Sequence, residues 1–340
     1  MNFKLAFLIL EISVFIASCQ SKQSTIDTTL QTRVDSILQN KMSEIGAISG
    51  QAIVMEVQTG EIKAMVGNAI SQESGLIRTA SLLAALETGK VKLSDTIDVG
   101  EGVYMVHNRE LLDHNWHRGG YGKLTTLQGL MVNSHIANYK NIERAFEDKQ
   151  GYFDMLDKMS YGKPESIVGL DDLKAAYFVT PKDSGWSNTA LAWFCIGYNQ
   201  QISPIQMLTF YNAIANDGKM VKPTLYKGKT EVINPQIASK ANIDSLQMAL
   251  VKAVTEGLGK PAQSEKVQVA GVSGGGQLST DEDNSEGRVN TIYSVEYCGY
   301  FPAENPKYSI IVSMNKVGLP ASGNLMAGSV FKEIVDYITK

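Results

Sequence analysis

The 340-residue sequence holds only three cysteines, at positions 19, 195 and 298, and four histidines. So few cysteines cannot build the disulfide framework that small exported domains use in place of a large core. Positive charge is not in excess either. Lys and Arg number 31 against 35 Asp and Glu, the net charge is −4, and the basic residues do not gather into a patch. A nucleic-acid partner therefore has no electrostatic footprint here, and a polybasic membrane face has none. Low-complexity tracts and fixed-period repeats are missing, which excludes solenoid architectures. Hydrophobic residues make up 44% of the chain, enough for a large packed core and incompatible with wholesale disorder.

Long apolar runs are also lacking, with one exception at the amino terminus. Residues 1–18 carry one positive charge at Lys4 and then a mostly apolar run interrupted by Glu11. A membrane-spanning helix needs about 20 apolar residues, so this run has the size of a signal-peptide core instead. Ile16-Ala17-Ser18-Cys19 follows, and small residues before a cysteine resemble a bacterial lipoprotein signal in which Cys19 is lipidated. The expected layout is a signal peptide over 1–18, a polar tether over 19–28 and one domain over 29–340. The expected location is the cell envelope, periplasmic or on the outer face of a membrane, held by the lipid on Cys19. Cys195 and Cys298 lie in apolar contexts and read as buried packing residues; two cysteines are no framework, although a disulfide between them stays open.

Periodicity organises the rest. Residues 29–45 place Leu30, Val34, Ile37, Leu38 and Met42 three and four apart, an amphipathic helix. Strand-like runs at 51–57 and 61–66 flank Gln58-Thr59-Gly60, a hairpin signal. A helix carries Leu82 to Leu86 and ends at Gly89, and 91–123 is loop-rich. Helical patterns cover 124–132, 136–146, 203–215 and 243–256; strands are predicted at 267–271, 293–300 and 308–314, with a last helix over 325–339. Strands at both ends with helices between favour a single α+β domain. The acidic stretch 280–286 reads as a solvated hairpin loop.

Several stretches resemble the transpeptidase domain of penicillin-binding proteins. Thr59-Gly60-Glu61-Ile62-Lys63-Ala64-Met65 is similar to the first hairpin of that family, and 194–223 to the long signature around its central helix. Gly299-Tyr300-Phe301-Pro302, the 310–312 strand and 330–334 match its closing strands and last helix, in order. The resemblance implies an α+β fold of the β-lactamase/transpeptidase kind: an antiparallel sheet flanked by helices, with a helical subdomain inserted. It also implies an active site in the cleft between sheet and subdomain, built from three motifs. A Ser-x-x-Lys serine at a helix N-terminus attacks a peptide or β-lactam carbonyl, aided by its Lys. A Ser-x-Asn turn and a Lys-[Ser/Thr]-Gly strand complete proton transfer and hold the substrate carboxylate.

All three motifs depart from the pattern. After Glu73-Ser74-Gly75 come Leu76-Ile77-Arg78-Thr79, one residue short of the family spacing, so two registers are open. In either register the nucleophile position is apolar, Leu76 or Ile77, and has no oxygen with which to form an acyl-enzyme. Arg78 or Thr79 replaces the lysine, and a permanently charged arginine is no base. Ser74 is the nearest substitute nucleophile, two residues early. The second motif aligns with Asn133-Ser134-His135; His135 titrates near neutrality in water, but such a residue is more often structural. The third reads Val272-Ser273-Gly274, which removes the cation, and the following Gly275-Gly276 suggest close approach of another backbone or a peptide added at that edge. Ser160-Tyr161-Gly162-Lys163 and Ser329-Val330-Phe331-Lys332 match Ser-x-x-Lys in the wrong places. His114-Asn115-Trp116-His117 lacks a third ligand and helical geometry for zinc.

These departures point to a pseudoenzyme of the cell wall, a binding or scaffolding module. Its expected partners are peptidoglycan stem peptides or cell-wall synthesis proteins, with no cofactor and no metal. Ser74, Arg78, Ser134, His135, Ser273 and Gly274 are expected to line a vestigial cleft in which Arg78 holds an anionic peptide. Two other readings stay open: a divergent D,D-transpeptidase, carboxypeptidase or β-lactam-acylated protein using Ser74 or Ser134, and a purely structural lipoprotein with a plugged cleft.

Overall fold

The computed structural model describes residues 23–68, 72–281 and 290–340. The signal-like run, Cys19 and most of the acidic stretch lie outside the described residues.

The chain enters through helix α1 (Thr28–Ile45), capped by the Asp27 side chain, which accepts from the amides of Thr29 and Leu30. Strands β1 (Ala47–Glu56) and β2 (Ile62–Asn68) follow as the predicted hairpin. The last third supplies β3 (Ala270–Asp281), β4 (Asn290–Phe301) and β5 (Tyr308–Val317). They form one antiparallel sheet in the order β3-β4-β5-β1-β2. Ends distant in sequence meet at its centre, where Ile53 of β1 faces Ile311 of β5. That pairing makes the two ends one domain.

Alternation sends side chains to two cores. Ala52, Val54, Ile310, Val312 and Met314 pack under α1 and the last helix, α8, whose range is Gly328–Ile338. Ile53, Met55, Cys298, Tyr300 and Ile311 face the helical block on the other side. That block contains α2 (Ile77–Glu87), α3 (Thr126–Met131), α4 (His135–Ala145), α5 (Lys149–Lys158), α6 (Pro204–Ala215) and α7 (Lys240–Thr255). α2 and α6 run through its centre and are buried nearly all round. Such helices are apolar on every side rather than striped.

The structure departs from the sequence reading in places. Residues 23–27, which the sequence reading assigned to a tether, dock on the body: Thr25 donates its amide to the Leu225 carbonyl and its hydroxyl to the Ile62 carbonyl. The loop-rich segment contains two short ribbons, Thr96–Gly100 with Gly122–Thr125 and Val103–Val106 with Arg109–Leu112. Helix α3 begins at Thr126 because Thr125 and Gln128 form a capping box. α5 was not foreseen; only Tyr152, Phe153 and Leu156 face inward, too few to mark a period. β3 runs ten residues beyond the predicted strand, since its pairing with β4 outweighs the poor strand propensity of three glycines. Cys195 and Cys298 are buried free thiols, not a disulfide. No described helix is long and apolar enough to cross a membrane.

Candidate functional site

The N-terminus of α2 points at the edge strand β3, and here the three degenerate motifs come together. Leu76 is the N-cap residue of α2 and Ile77 its first helical residue. Leu76 has no side chain with which to cap, so the Ser74 hydroxyl stands in, accepting from the Leu76 amide at 3.4 Å. Ser74 donates in turn to Glu296 Oε2 of β4, at 2.7 Å.

The contact between α2 and β3 is close enough to exclude side chains. A Cβ on Gly274 would lie 2.7 Å from Leu76 Cγ and 2.9 Å from Glu296 Oε2. A Cβ on Gly75 would lie 2.7 Å from the Gly275 carbonyl oxygen. Absent side chains on both segments let the backbones meet, and Leu76 fills the notch with 1% of its surface exposed. Ser74, Arg78, Ser134, Val272 and Ser273 are all buried as well. At this point the vestigial cleft expected from the sequence is filled by side chains, as the plugged-cleft reading allows. Its intended lining is assembled, but as core.

Arg78 reaches across to β3, where Nη2 donates to the Ser273 carbonyl at 3.3 Å. Burial lowers its pKa from the usual 12.5, opposed by the negative charge that Tyr211, Glu296, Tyr198 and Asp113 can carry. It does not face solvent, so it cannot offer an anionic peptide the grip expected of it. Thr79, the alternative lysine position, is taken up by α6: the Tyr211 hydroxyl lies 2.7 Å from Thr79 Oγ1 and donates to the Leu76 carbonyl at 3.0 Å.

The second motif is a corner between α3 and α4. Asn133 has φ 54° and donates through Nδ2 to Ser273 Oγ at 2.8 Å, joining the second motif to the third. Ser134 caps α4, accepting from the Ala137 amide and donating to Asp113 Oδ2 at 2.7 Å. Asp113 also accepts from the Ile136 amide at 3.1 Å, and burial raises its pKa despite these bonds. His135 Nδ1 lies 2.9 Å from the Leu112 carbonyl and so carries the proton. Burial, reinforced by Arg78, drives its pKa down to about 3. His135 is a neutral structural residue near pH 7.

Of the other motifs, the zinc-like pair does reach this neighbourhood, since His114 follows Asp113 and burial lowers its pKa. Ser329, in the first turn of α8, donates to the Met326 carbonyl just before it, and His114 Nε2 pairs with the Tyr121 hydroxyl at 3.0 Å.

Sequence reasoning missed Glu296. Burial raises its pKa to about 7, against hydrogen bonds from Ser74, Gln72 and Ser313 and the charge of Arg78. Its signal was available: an acid in Val295-Glu296-Tyr297-Cys298, sharing a strand face with buried Cys298. Gln72 and Asp113 carried none, since each works on a segment far away in the chain.

A family model described as "Penicillin binding protein transpeptidase domain" matches residues 50–336, and the chain belongs to that family. Among its relatives are the probable peptidoglycan D,D-transpeptidase PbpC of Pseudomonas aeruginosa, 23% identical over 90% of this chain and 58% of that protein. Peptidoglycan D,D-transpeptidase FtsI of Escherichia coli is 21% identical over 90% of this chain and 53% of its own length. The chain thus spans little more than half of these relatives. The apo transpeptidase domain of Burkholderia pseudomallei penicillin-binding protein 3 superposes with a TM-score of 0.78 at 21% identity, covering 94% of this chain and 95% of that one. The fold is the α+β transpeptidase fold expected from the sequence.

Proposed function

We propose that this protein is a catalytically inactive member of the transpeptidase family, an envelope lipoprotein that acts as a scaffolding or binding module at the cell wall. One observation carries the reading: the nucleophile position is an alkyl side chain wedged into the glycine notch of β3. Acyl transfer needs an oxygen or sulfur nucleophile, a base beside it and space for the acyl group. Leu76 supplies none of these, Arg78 is no base, and the strand edge that would receive substrate lies against α2. The relatives are named as enzymes acting on peptidoglycan, which supports cell-wall partners, either stem peptides or the proteins that build the wall. A sealed cleft favours partners met on the outer surface. Cys19 as the lipidated residue supports tethering to a membrane.

The second reading rests on Ser74, a serine hydrogen-bonded to a carboxylate of raised pKa, the composition of a nucleophile and its base. It would need α2 and β3 to part. Incubation of the purified protein with excess fluorescent penicillin, followed by intact-mass measurement, separates the two. The inactive reading expects no adduct. A stoichiometric adduct mapped to Ser74 would establish the second.

A further inference from the structure

The segment that enters the body is fixed to it by backbone pairing. Lys227 donates its amide to the Gln23 carbonyl at 2.8 Å, and Thr25 its amide to the Leu225 carbonyl at 2.9 Å. Asp27 donates to the Lys63 carbonyl at 2.9 Å, and Ser24 bridges Tyr226 in antiparallel fashion. Gln23 therefore has one place on the surface.

Residues 19–22 are all that separate Cys19 from that place. An extended chain covers at most ~3.6 Å per residue, so Cys19 stays within about 14 Å of Gln23. The ten residues of β1 are longer than that, about 30 Å at ~3.3 Å each. Gln23 lies toward one end of β1, where Glu56 donates to the Glu61 carbonyl and the Thr25 hydroxyl reaches the Ile62 carbonyl. At the other end Ala47 faces Lys316, and the exposed apolar residues Ile48, Val317 and Leu319 lie there. A lipid on Cys19 can bring only the first end to a bilayer.

The surface around Gln23 suits that neighbour. A Cβ on Gly169 would lie 2.9 Å from Tyr226 Cε2, so the loop carrying Val168 packs on that ring. Val168, 59% exposed, shares the wall of a cavity with Gly228, Lys229, Thr59 and Glu61. Lys227 and Lys229 are exposed and take part in none of the ion pairs among the described residues. Asp171 and Asp172 follow a few residues after Val168, so charge does not select this face. The short anchor selects it. A tyrosine and long-stemmed lysines are then residues that sit well at headgroup level.

We propose that the face around Gln23, with Val168, Tyr226 and the 227–229 turn, lies against phospholipid headgroups. The sheet then stands on end, and Ile48, Val317 and Leu319 point away from the membrane. The proposal rests on lipidation of Cys19.

The test uses the full chain isolated from membranes, with a fluorescent dye on Lys229→Cys or on Leu319→Cys. Both positions are exposed, whereas Cys195 and Cys298 are buried and leave the introduced thiol as the reactive one. The probe is a vesicle of phosphatidylethanolamine and phosphatidylglycerol carrying a nitroxide-labelled headgroup lipid. The dye at 229 should lose most of its emission, and the dye at 319 should keep it. Intact mass of the same sample reports the lipid. A mass without lipid overturns both the anchor and this orientation. A lipidated protein whose two dyes respond equally, or whose dye at 319 is the more quenched, overturns the orientation alone.

Discussion

Leu76 and Gly274 are sized to one another: a methyl group at 274 would come within 2.7 Å of the leucine Cγ, closer than real carbon contacts allow. This junction is packed interior, with Leu76 1% exposed.

Restoring a hydroxyl at the nucleophile position should not restore acylation. In Leu76→Ser the cleft stays closed, Arg78 still cannot accept a proton, and intact mass after penicillin treatment should be unchanged. The truncation removes a buried leucine and should cost about 3–5 kcal/mol. Scanning fluorimetry should read this as a fall of roughly 5–10 °C.

Gly274→Ala should destabilise by about 1–3 kcal/mol through overpacking. Combined with Leu76→Ala, the loss should be smaller than the sum of the two. Urea denaturation of the double-mutant cycle should give a coupling of about 0.5–3 kcal/mol. Strict additivity would mean that the two groups do not touch.

Glu296 makes stability depend on pH in a stated direction. Its pKa is raised in the folded protein from 4.5 to about 7, so the native state holds a proton that the unfolded chain has released. Its contribution is full below about pH 4.5 and is lost as pH rises to about 7, for a total of about 3 kcal/mol. Glu296→Gln should remove this slope, and above neutrality it should be more stable than the parent. Unfolding curves at several pH values check it; parallel curves would place Glu296 among ordinary carboxylates.

His135 should not titrate near neutrality. With its pKa lowered to about 3, its ring proton resonances should stay flat across the range in which exposed histidines move. The stability it contributes is present above the unfolded-state pKa and is lost as pH falls below it, opposite in sign to Glu296.

Lipidation at Cys19 is open to a direct test. Cells fed an alkyne fatty acid should label the native protein, and Cys19→Ala should be unlabelled and released from the membrane fraction. Retention of the label in Cys19→Ala would place the lipid elsewhere.

Much of this was legible from the residues. The amphipathic helix at 28–45 and the β1–β2 hairpin followed from local periods of three to four and of two. Loss of the nucleophile needed only the reading of Leu76 and Ile77, because no environment gives an alkyl group a lone pair. The sequence likewise put Arg78 in place of a base. Whether the cleft was open, and whether Arg78 faced substrate or core, depended on contacts between segments about 200 residues apart, and the setting of His135 on its bond to the Leu112 carbonyl. Gly275-Gly276 hinted at close approach without saying to what. Only the folded chain brings Gly274 onto Leu76, Ser74 onto Glu296 and Asn133 onto Ser273. Burial in turn sets the charge states of Glu296 and His135. Pair contacts and desolvation are properties of the assembled interior, so no local pattern could carry them.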